Sequence, residues 1–307
     1  MVLFAIIVAL LLEQVRPLGP ASPVQQGWRR WVRSAGRAVD AGAWHHGWLA
    51  WCLAVVLPAS GAAVVHWLLL RAGGWPLALL WSVAVLYATL GFRQFSLHFT
   101  GVRDALEAGD EARARQLLAQ WQGSDAGGLA RDEMARRVIE HSVLAAHRQV
   151  FGVLAWFCLL AMLGMGPAGA VLYRVADVAA RYWGNRSAAP GGTVSAALGQ
   201  VAASAWHVID WLPVRMTALG FAITGSFEDA VDAWRQHAAH FADVNEGVIL
   251  AATAGAIGVR LGPLSAHALP GETPRNAHLR QAVGLVWRTV ALWLLLLTLL
   301  TLARVLG

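Results

Sequence analysis

The sequence contains no lysine, because all 24 of its basic residues are arginine. A catalytic lysine, whether as a Schiff-base former or as a deprotonated base, is therefore excluded. Only two cysteines are present, Cys52 and Cys158, and both lie inside apolar runs. This pattern excludes a disulfide framework and a Cys-x-x-Cys site, and it predicts two inert thiols buried in the protein.

Charge is scarce as well. Charged residues make up 14% of the chain and hydrophobic residues 57%, and the mean hydropathy is +0.52. Such a composition belongs to the membrane class rather than to soluble globular proteins. The net charge of +6 does not indicate a nucleic-acid partner, because arginines that flank membrane spans give the same excess. We therefore expect an all-α, polytopic membrane bundle whose main partner is the lipid bilayer, with the oligomeric state left open.

Five apolar stretches are candidates for membrane helices. They are residues 2–12, 48–70, 75–92, 150–173 and 283–305, with a weaker sixth stretch at residues 194–224. From these we expect four or five embedded helices. Only Arg71, Ala72, Gly73 and Gly74 separate the second stretch from the third, which predicts a helical hairpin with tryptophans at its boundaries. The first stretch is short and lacks the basic region and cleavage site of a signal peptide, so we expect it to be retained.

The polar segment at residues 93–149 stands out between these stretches. Its apolar residues recur at helical spacing on either side of Gly109 and Asp110, which predicts a pair of amphipathic helices. The arginines of this segment and those of residues 29–37 fall on the same side of the predicted hairpin. The positive-inside rule places both in the cytoplasm. We therefore expect residues 1–307 to form a single membrane domain that carries this cytoplasmic helical loop.

The side of the membrane on which Arg174 lies depends on residues 150–173. A single crossing by that segment would place Arg174 opposite the cytoplasmic loop. Gly164, Gly166 and Pro167 predict a break in the segment, and broken helices are tolerated in membranes where protein surrounds them. We expect the break to return Arg174 to the cytoplasmic side.

Several motifs resemble those of the CobD/CbiB family of integral membrane proteins. They are Ala-Gly-Ala-Ile-Gly-Val-Arg-Leu-Gly at residues 254–262, Asp-Trp-Leu-Pro-Val-Arg-Met-Thr at residues 210–217, Ile-Glu-His-Ser-Val at residues 139–143 and Gly-Ser-Asp at residues 123–125. Members of that family condense an aminopropanol unit onto adenosylcobyric acid in cobalamin synthesis. The resemblance implies a multi-pass protein of the bacterial inner membrane.

The resemblance also implies the residues of the site. The catalytic candidates are Asp125, Glu140, Asp177 and Asp210, and the ligand-binding candidates are Arg174, Arg215, Asn245 and Arg260. Because an arginine fork suits a carboxylate or phosphate, the expected small-molecule ligand is anionic. We expect Arg260 to be buried and to share one cavity with Arg215, with Asp210 or Asp177 within reach of an ion pair.

Three acidic positions of the family are replaced here, by Ala146, Ala180 and Trp206. These losses remove groups that would hold a divalent metal or move protons. The segment around Asp210 also resembles AmpE, a related inner-membrane protein named for a part in β-lactamase regulation. We therefore expect a degraded synthase site and a role in envelope signalling, regulation or ligand binding. The alternative is an active adenosylcobinamide-phosphate synthase, an ATP-dependent amide ligase in which the four remaining acids could hold Mg²⁺.

Two further patterns are weak. Residues 164–169 match Gly-x-Gly-x-x-Gly, but no strand precedes them, so close helix packing explains them better than dinucleotide binding. His237 and His240 have a spacing that could bind zinc, although a solvated helix face is the simpler interpretation. No resident metal site is predicted.

Overall fold

The computed structural model describes residues 1–16, 22–122, 128–189, 191–262 and 271–306. Across these ranges the regular structure is helical, and the single β contact is an isolated parallel bridge between Val259 and Glu272. This confirms the all-α prediction. The helices are α1 (Val2–Val15), α2 (Pro23–Val39), α3 (Trp44–Trp51), α4 (Leu57–Thr89), α5 (Phe92–Glu107), α6 (Glu111–Gln122), α7 (Arg131–Ala146), α8 (Gly152–Met162), α9 (Ala168–Ala188), α10 (Ala196–Thr224), α11 (Phe227–His237), α12 (Val244–Ile257) and α13 (Asn276–Leu306).

The chain divides into two compact units. The first unit comprises Met1–Gly91 and Arg148–Pro213, and the second comprises Phe92–His147 and Val214–Gly307. Two π-helical turns, Cys52–Val56 and His147–Phe151, connect α3 to α4 and α7 to α8.

The first unit contains the predicted hairpin. The apolar sequence lies in a 46-residue stretch of helix, Trp44–Thr89. It is interrupted at Gly74, whose φ of 71° is a left-handed conformation that glycine adopts without steric cost. Across the two arms, the Trp81 indole donates a hydrogen bond to the carbonyl of Ala62 at 3.1 Å. The arms are therefore antiparallel, and the hairpin prediction is confirmed.

A second helical hairpin follows in the same unit. Helix α8 ends at Met162 and α9 begins at Ala168, so the break lies where the glycines and Pro167 predict it. The arms approach so closely that a Cβ on Gly169 would lie 1.9 Å from the Trp156 carbonyl oxygen. A Cβ on Gly152 would lie 2.0 Å from the Tyr173 ring. Tyr173 has thus returned to the level of Gly152, and the membrane side of the following residue stays a prediction.

Helix α2 begins with local signals that the sequence displays. Ser22 is its N-cap and accepts a hydrogen bond from the backbone N–H of Gln25 at 3.4 Å, and Pro23 occupies the first turn, where no donor is lost. Trp31 donates to the carbonyl of Ala54 at 2.9 Å, which fixes α2 against the first arm of the hairpin.

The second unit is built on the amphipathic pair. Helices α5 and α6 meet at Gly109 and Asp110, as predicted. The carbonyl of Leu106 then accepts hydrogen bonds from Arg131 at 2.8 Å and from Asn276 at 3.2 Å. These bonds join the starts of α7 and α13 to the end of α5. The predicted cytoplasmic loop therefore packs with the C-terminal helices.

Among the residues that the structure describes, three helices are long and apolar enough to cross a membrane. They are Trp44–Thr89, Arg131–Met162 and Asn276–Ala303, and Val2–Val15 and Val244–Ile257 are shorter apolar helices. The number is smaller than the four or five embedded helices expected, partly because the Gly74 hairpin counts as one. These helices support a membrane protein, while the multi-pass topology and the inner-membrane location stay predictions.

The prediction of buried thiols is wrong for Cys52. Both cysteines are free, but Cys52 is exposed at the protein surface and Cys158 is partly exposed. An apolar run indicates that its side chains lie in an apolar environment. The hydrocarbon of a membrane provides such an environment as well as a protein core does.

Candidate functional site

Two motif segments of the second unit are joined by Glu140 on α7. Its Oε1 accepts hydrogen bonds from the backbone N–H of Gly262 at 2.6 Å and from Arg136 Nη1 at 2.7 Å. Arg136 Nη1 also donates to the Gly262 carbonyl oxygen, and Arg136 Nη2 pairs with Glu133 at 2.5 Å. The side chains of Arg136 and Glu140 are only 13% and 18% exposed. We call the group Glu133, Arg136, Glu140 and Gly262 the glycine clamp.

The run at residues 258–262 has a fixed backbone. Gly258 caps α12 in the left-handed conformation, and the N–H of Arg260 donates to the carbonyl of Glu272 at 2.9 Å. The N–H of Glu272 donates to Gly258 at the same distance. Gly262 has a φ of +89°, and a Cβ there would lie 2.7 Å from the ring of Phe241. Glycine is required at residue 262 by backbone conformation and by space.

The arginine of this run points outward. Arg260 is exposed, and its Nη2 lies 3.4 Å from the carbonyl oxygen of Gly271. The expectation of a buried Arg260 is wrong, because only the flanking Val259 and Leu261 are buried. Arg215 is half-buried, and Asn245 is buried in the first turn of α12. Arg260 can thus offer a permanent, fork-shaped cation to an anionic group from a rigid support.

One buried hydrogen bond of the second unit joins a histidine to a threonine. His147 Nδ1 lies 2.9 Å from the Thr217 hydroxyl, and both side chains are fully buried. His147 begins the π-helical turn after α7, and such turns frequently occur at functional sites. Thr217 closes the motif that contains Asp210. Sequence analysis identifies both segments but gives no sign that these two side chains meet.

The first unit holds a buried charge cluster, composed of Tyr173, Arg174, Asp177 and Asp210. The Tyr173 hydroxyl donates to Asp210 Oδ1 at 2.7 Å. Arg174 Nη1 lies 3.6 Å from Asp177 Oδ2, to which the more exposed Arg181 also donates. Arg174 is 5% exposed and Asp177 is 1% exposed. Charges are expensive to bury unless they are paired, so this cluster marks a polar interior in an otherwise apolar unit.

Two atoms of the cluster have no hydrogen-bond partner within the described part of the chain. They are Arg174 Nη1 and Asp177 Oδ1, and both are inaccessible to solvent. Buried polar atoms almost always have partners in folded proteins. The cluster can therefore bind a polar group that supplies an acceptor to the arginine and a donor to the carboxylate.

Within the described ranges, the acids of neither unit are grouped as a magnesium site. No group of three His, Cys, Asp or Glu residues suited to a metal occurs in the ranges that the structure describes. Glu140 and Asp177 are each engaged by arginines instead. Two of the replaced positions now serve apolar packing: Ala146 is fully buried, and Trp206 packs against Tyr173 with ring centroids 5.1 Å apart.

The predicted site residues fall into the two units as follows. Arg174, Asp177 and Asp210 belong to the first unit, and Glu140, Arg215, Asn245 and Arg260 belong to the second. Asp125 lies outside the described residues. A common cavity for Arg215 and Arg260, with Asp177 or Asp210 nearby, stays a prediction.

A surface groove of about 560 Å³ lies elsewhere in the second unit, at the starts of α7 and α13. Its charged lining residues are Arg131, Asp132 and Arg275. None of the predicted site residues lines it.

Arg136 is one of the site residues that sequence analysis misses. It follows Glu133 by three positions and precedes Glu140 by four, so helical spacing alone predicts both ion pairs. Its contact with Gly262 could not be found in this way, because 126 residues separate the two.

Comparison with known proteins identifies the family of the chain. The family model described as CobD/Cbib protein matches residues 2–302. Three relatives share the name cobalamin biosynthesis protein CobD. The protein from Stutzerimonas stutzeri is 34% identical over 82% of this chain and 81% of its own length. Those from Chromobacterium violaceum and Mycobacterium tuberculosis are 33% and 30% identical, over 69% and 80% of this chain and 67% and 77% of their own lengths. No solved structure matches. The whole-length family match and these identities show that the chain belongs to the CobD/CbiB family.

Proposed function

We propose that this protein acts in cobalamin biosynthesis as an adenosylcobinamide-phosphate synthase, which joins an aminopropanol unit to adenosylcobyric acid with ATP. This is the alternative reached from the sequence, and we prefer it to a degraded site used in envelope signalling. The names of the relatives support cobalamin biosynthesis. The observation that carries the proposal is the glycine clamp, because it connects two family motifs that lie 122 residues apart.

The clamp gives the proposal a physical basis. It fastens the run at residues 258–262 to a second family motif through hydrogen bonds to both the N–H and the carbonyl oxygen of Gly262. The clamp keeps the run at residues 258–262 rigid, and Arg260 projects from that run. In the proposed reaction Arg260 binds an anionic part of a substrate, either phosphate or carboxylate.

The charge cluster of the first unit has a separate part in the proposal. ATP transfers a phosphoryl group to the carboxylate of adenosylcobyric acid and leaves as ADP. The amine of the aminopropanol unit then attacks the acyl carbon, displaces phosphate and loses a proton, so that the amide forms. Asp177 and Asp210 are the carboxylates that could accept a proton or orient the amine. Arg174 balances their charge inside the apolar unit. No step is assigned to a metal, because the described acids do not form a site for one.

Genetic complementation tests the function. A strain that lacks its own synthase should grow with cobyric acid as precursor when it expresses this chain, and adenosylcobinamide phosphate should be detectable by mass spectrometry. The Arg260→Gln variant should lower product formation roughly tenfold or more, the effect of losing one charge-assisted bond. Arg280→Gln is the matched control, because Arg280 is exposed in the same unit and 3.9 Å from its partner Glu107.

The outcome can reject the proposal. If the wild-type chain accumulates in the membrane fraction but forms no product, the synthase assignment is wrong. If Arg260→Gln and Arg280→Gln behave alike while the wild type is active, the function stands and the role of Arg260 is wrong.

A further inference from the structure

The groove between the starts of α7 and α13 has a lining of mixed character. Its volume of about 560 Å³ is within the range of small-molecule sites. Small apolar side chains form one part of the lining, and polar or charged side chains form the rest. They are Ala135, Pro274 and Ala277, and Arg131, Asp132, Arg275 and Asn276. The groove therefore offers two cations, one carboxylate and an apolar surface to a ligand.

The two walls of the groove are joined through the end of α5. The carbonyl oxygen of Leu106 accepts hydrogen bonds from Arg131 Nη2 at 2.8 Å and from Asn276 Nδ2 at 3.2 Å. The first bond uses one of the several N–H donors of the Arg131 guanidinium and leaves the others available. Arg131 is thus held in place by a neutral acceptor, and its positive charge is retained.

Arg275 contributes the second cation, from the other wall. Its backbone N–H donates to Nδ1 of His278 at 3.0 Å, and His278 is buried, so the backbone at the start of α13 is fixed. Neither Arg275 nor Arg131 forms an ion pair within the described part of the chain. Two guanidinium groups from opposite walls can therefore bind the oxygens of one anion that carries several charges.

The carboxylate of Asp132 restricts the kind of anion. Asp132 lies in the first turn of α7, and it has no ion-pair partner among the residues that the structure describes. A carboxylate repels a simple phosphate ion, but it accepts hydrogen bonds from the hydroxyl groups of a ribose. A ligand with phosphates for the arginines and hydroxyl groups for the carboxylate is a nucleotide.

The groove also has a suitable position in the chain. Its α7 wall belongs to the loop that the sequence predicts to be cytoplasmic, where nucleotides are available. Asp132 directly precedes Glu133 of the glycine clamp. Pro274 lies two residues after Glu272, whose backbone is bonded to that of Arg260. The groove is therefore next to the rigid segment from which Arg260 projects.

We propose that this groove binds a nucleotide, with its phosphates on Arg131 and Arg275, its ribose hydroxyls on Asp132, and its base against Ala135 and Pro274. The choice of ATP among nucleotides rests on the proposed function, because that reaction consumes ATP. The groove itself is assigned from its lining, so the site and the synthase activity can be tested separately.

Isothermal titration calorimetry of the purified full-length protein in detergent, without any corrinoid, tests the proposal. ATP should bind to one site. Arg275→Gln should weaken the binding about tenfold, as the loss of a charge-assisted hydrogen bond implies. Arg280→Gln is the matched control, because Arg280 is an exposed arginine of the same helix that does not line the groove. Thermal midpoints verify that both variants are folded.

Recognition of the sugar is tested with Asp132→Ala. The wild type should bind 2′,3′-dideoxy-ATP roughly tenfold more weakly than ATP, and the variant should bind the two nucleotides equally. Tripolyphosphate should bind the variant more tightly than the wild type, because the substitution removes a negative charge from the groove. A purely structural role of Asp132 would weaken all three ligands together.

Contrary results overturn the proposal. No binding of ATP to the folded wild type rejects the nucleotide, and equal affinities in Arg275→Gln and Arg280→Gln reject the groove as its location. Tripolyphosphate that binds the wild type as tightly as ATP identifies a simple anion site instead.

Failure of the proposed function gives a different pattern. In that case complementation fails, but Arg275→Gln still weakens ATP binding, and the groove assignment stands. Conversely, an active synthase whose affinity for ATP is unchanged in Arg275→Gln keeps the function and overturns the groove assignment.

Discussion

Replacement of Glu140 by alanine should destabilise the second unit far more than removal of an exposed glutamate. The substitution breaks two hydrogen bonds to a carboxylate, at 2.6 Å from Gly262 and 2.7 Å from Arg136. Bonds to charged groups contribute about 1.5–3 kcal/mol each. Arg136 keeps its pair with Glu133, so we expect the lower end of the sum, about 3 kcal/mol. For a chain of this size the midpoint of thermal unfolding should fall by roughly 6–12 °C.

Two further variants provide reference values for the shift in the thermal midpoint. Glu140→Gln retains an acceptor oxygen but loses the charge, and neutral hydrogen bonds are about half as strong. Its midpoint should fall by roughly 3–5 °C. Glu111→Ala is the control, because Glu111 also pairs with an arginine four residues away, but in a pair whose side chains are 40% and 32% exposed. Exposed pairs contribute about 0.5 kcal/mol, so its midpoint should move by less than about 2 °C.

The assay is differential scanning fluorimetry or calorimetry of the detergent-solubilised protein with the three variants in parallel. The reasoning fails if Glu140→Ala and Glu111→Ala shift the midpoint equally. It also fails if Glu140→Gln lowers the midpoint as much as Glu140→Ala does. The hydrogen bond from the Gly262 N–H to the retained amide oxygen would then contribute nothing to stability.

Other predictions follow from the first unit. Gly169→Ala should lower the thermal midpoint by more than about 10 °C, because its Cβ would meet backbone at 1.9 Å; Gly184→Ala on the same helix, with open space, should raise it slightly. Burial raises the pKa of Asp40, but hydrogen bonds from the Ser195 hydroxyl and N–H outweigh this and lower it. Stability from Asp40 is therefore present above its unfolded pKa of about 3.9 and lost as pH falls through the folded value, so Asp40→Asn should flatten the acid side of a midpoint-against-pH curve. In a cysteine-free background, Gly184→Cys should resist an impermeant thiol reagent added outside intact cells while Ala72→Cys at the hairpin tip reacts; labelling of both would contradict the predicted return of α9.

Local sequence predicts the local parts of the fold. The hairpin at Gly74 and the break before Pro167 follow from glycine, proline and tryptophan placed between apolar runs, since these residues act on the backbone within a few positions. The amphipathic pair around Gly109 follows from helical periodicity for the same reason. In each case the residues that predict the turn or helix lie in the same short segment as that turn or helix.

The site depends on contacts that no short segment contains. Glu140 could be identified by its motif, but its attachment to Gly262 arises only when α7 packs beside residues 258–262. The motif also does not predict that Arg260 is exposed while its neighbours Val259 and Leu261 are buried. The error at Cys52 has a related cause, because hydropathy does not distinguish lipid from protein as the surrounding medium.

The return of α9 along α8 also affects whether the number of membrane crossings is odd or even. A segment that enters and comes back to its starting level changes neither the side of the membrane nor the odd or even count of crossings. The same holds for the arms that meet at Gly74. If both hairpins enter the membrane and return, as predicted, the sidedness of the C-terminus relative to the N-terminus depends only on the apolar helices outside them. Reporter fusions at the two ends would therefore count those helices alone, and an insertion that straightened either hairpin would invert everything downstream.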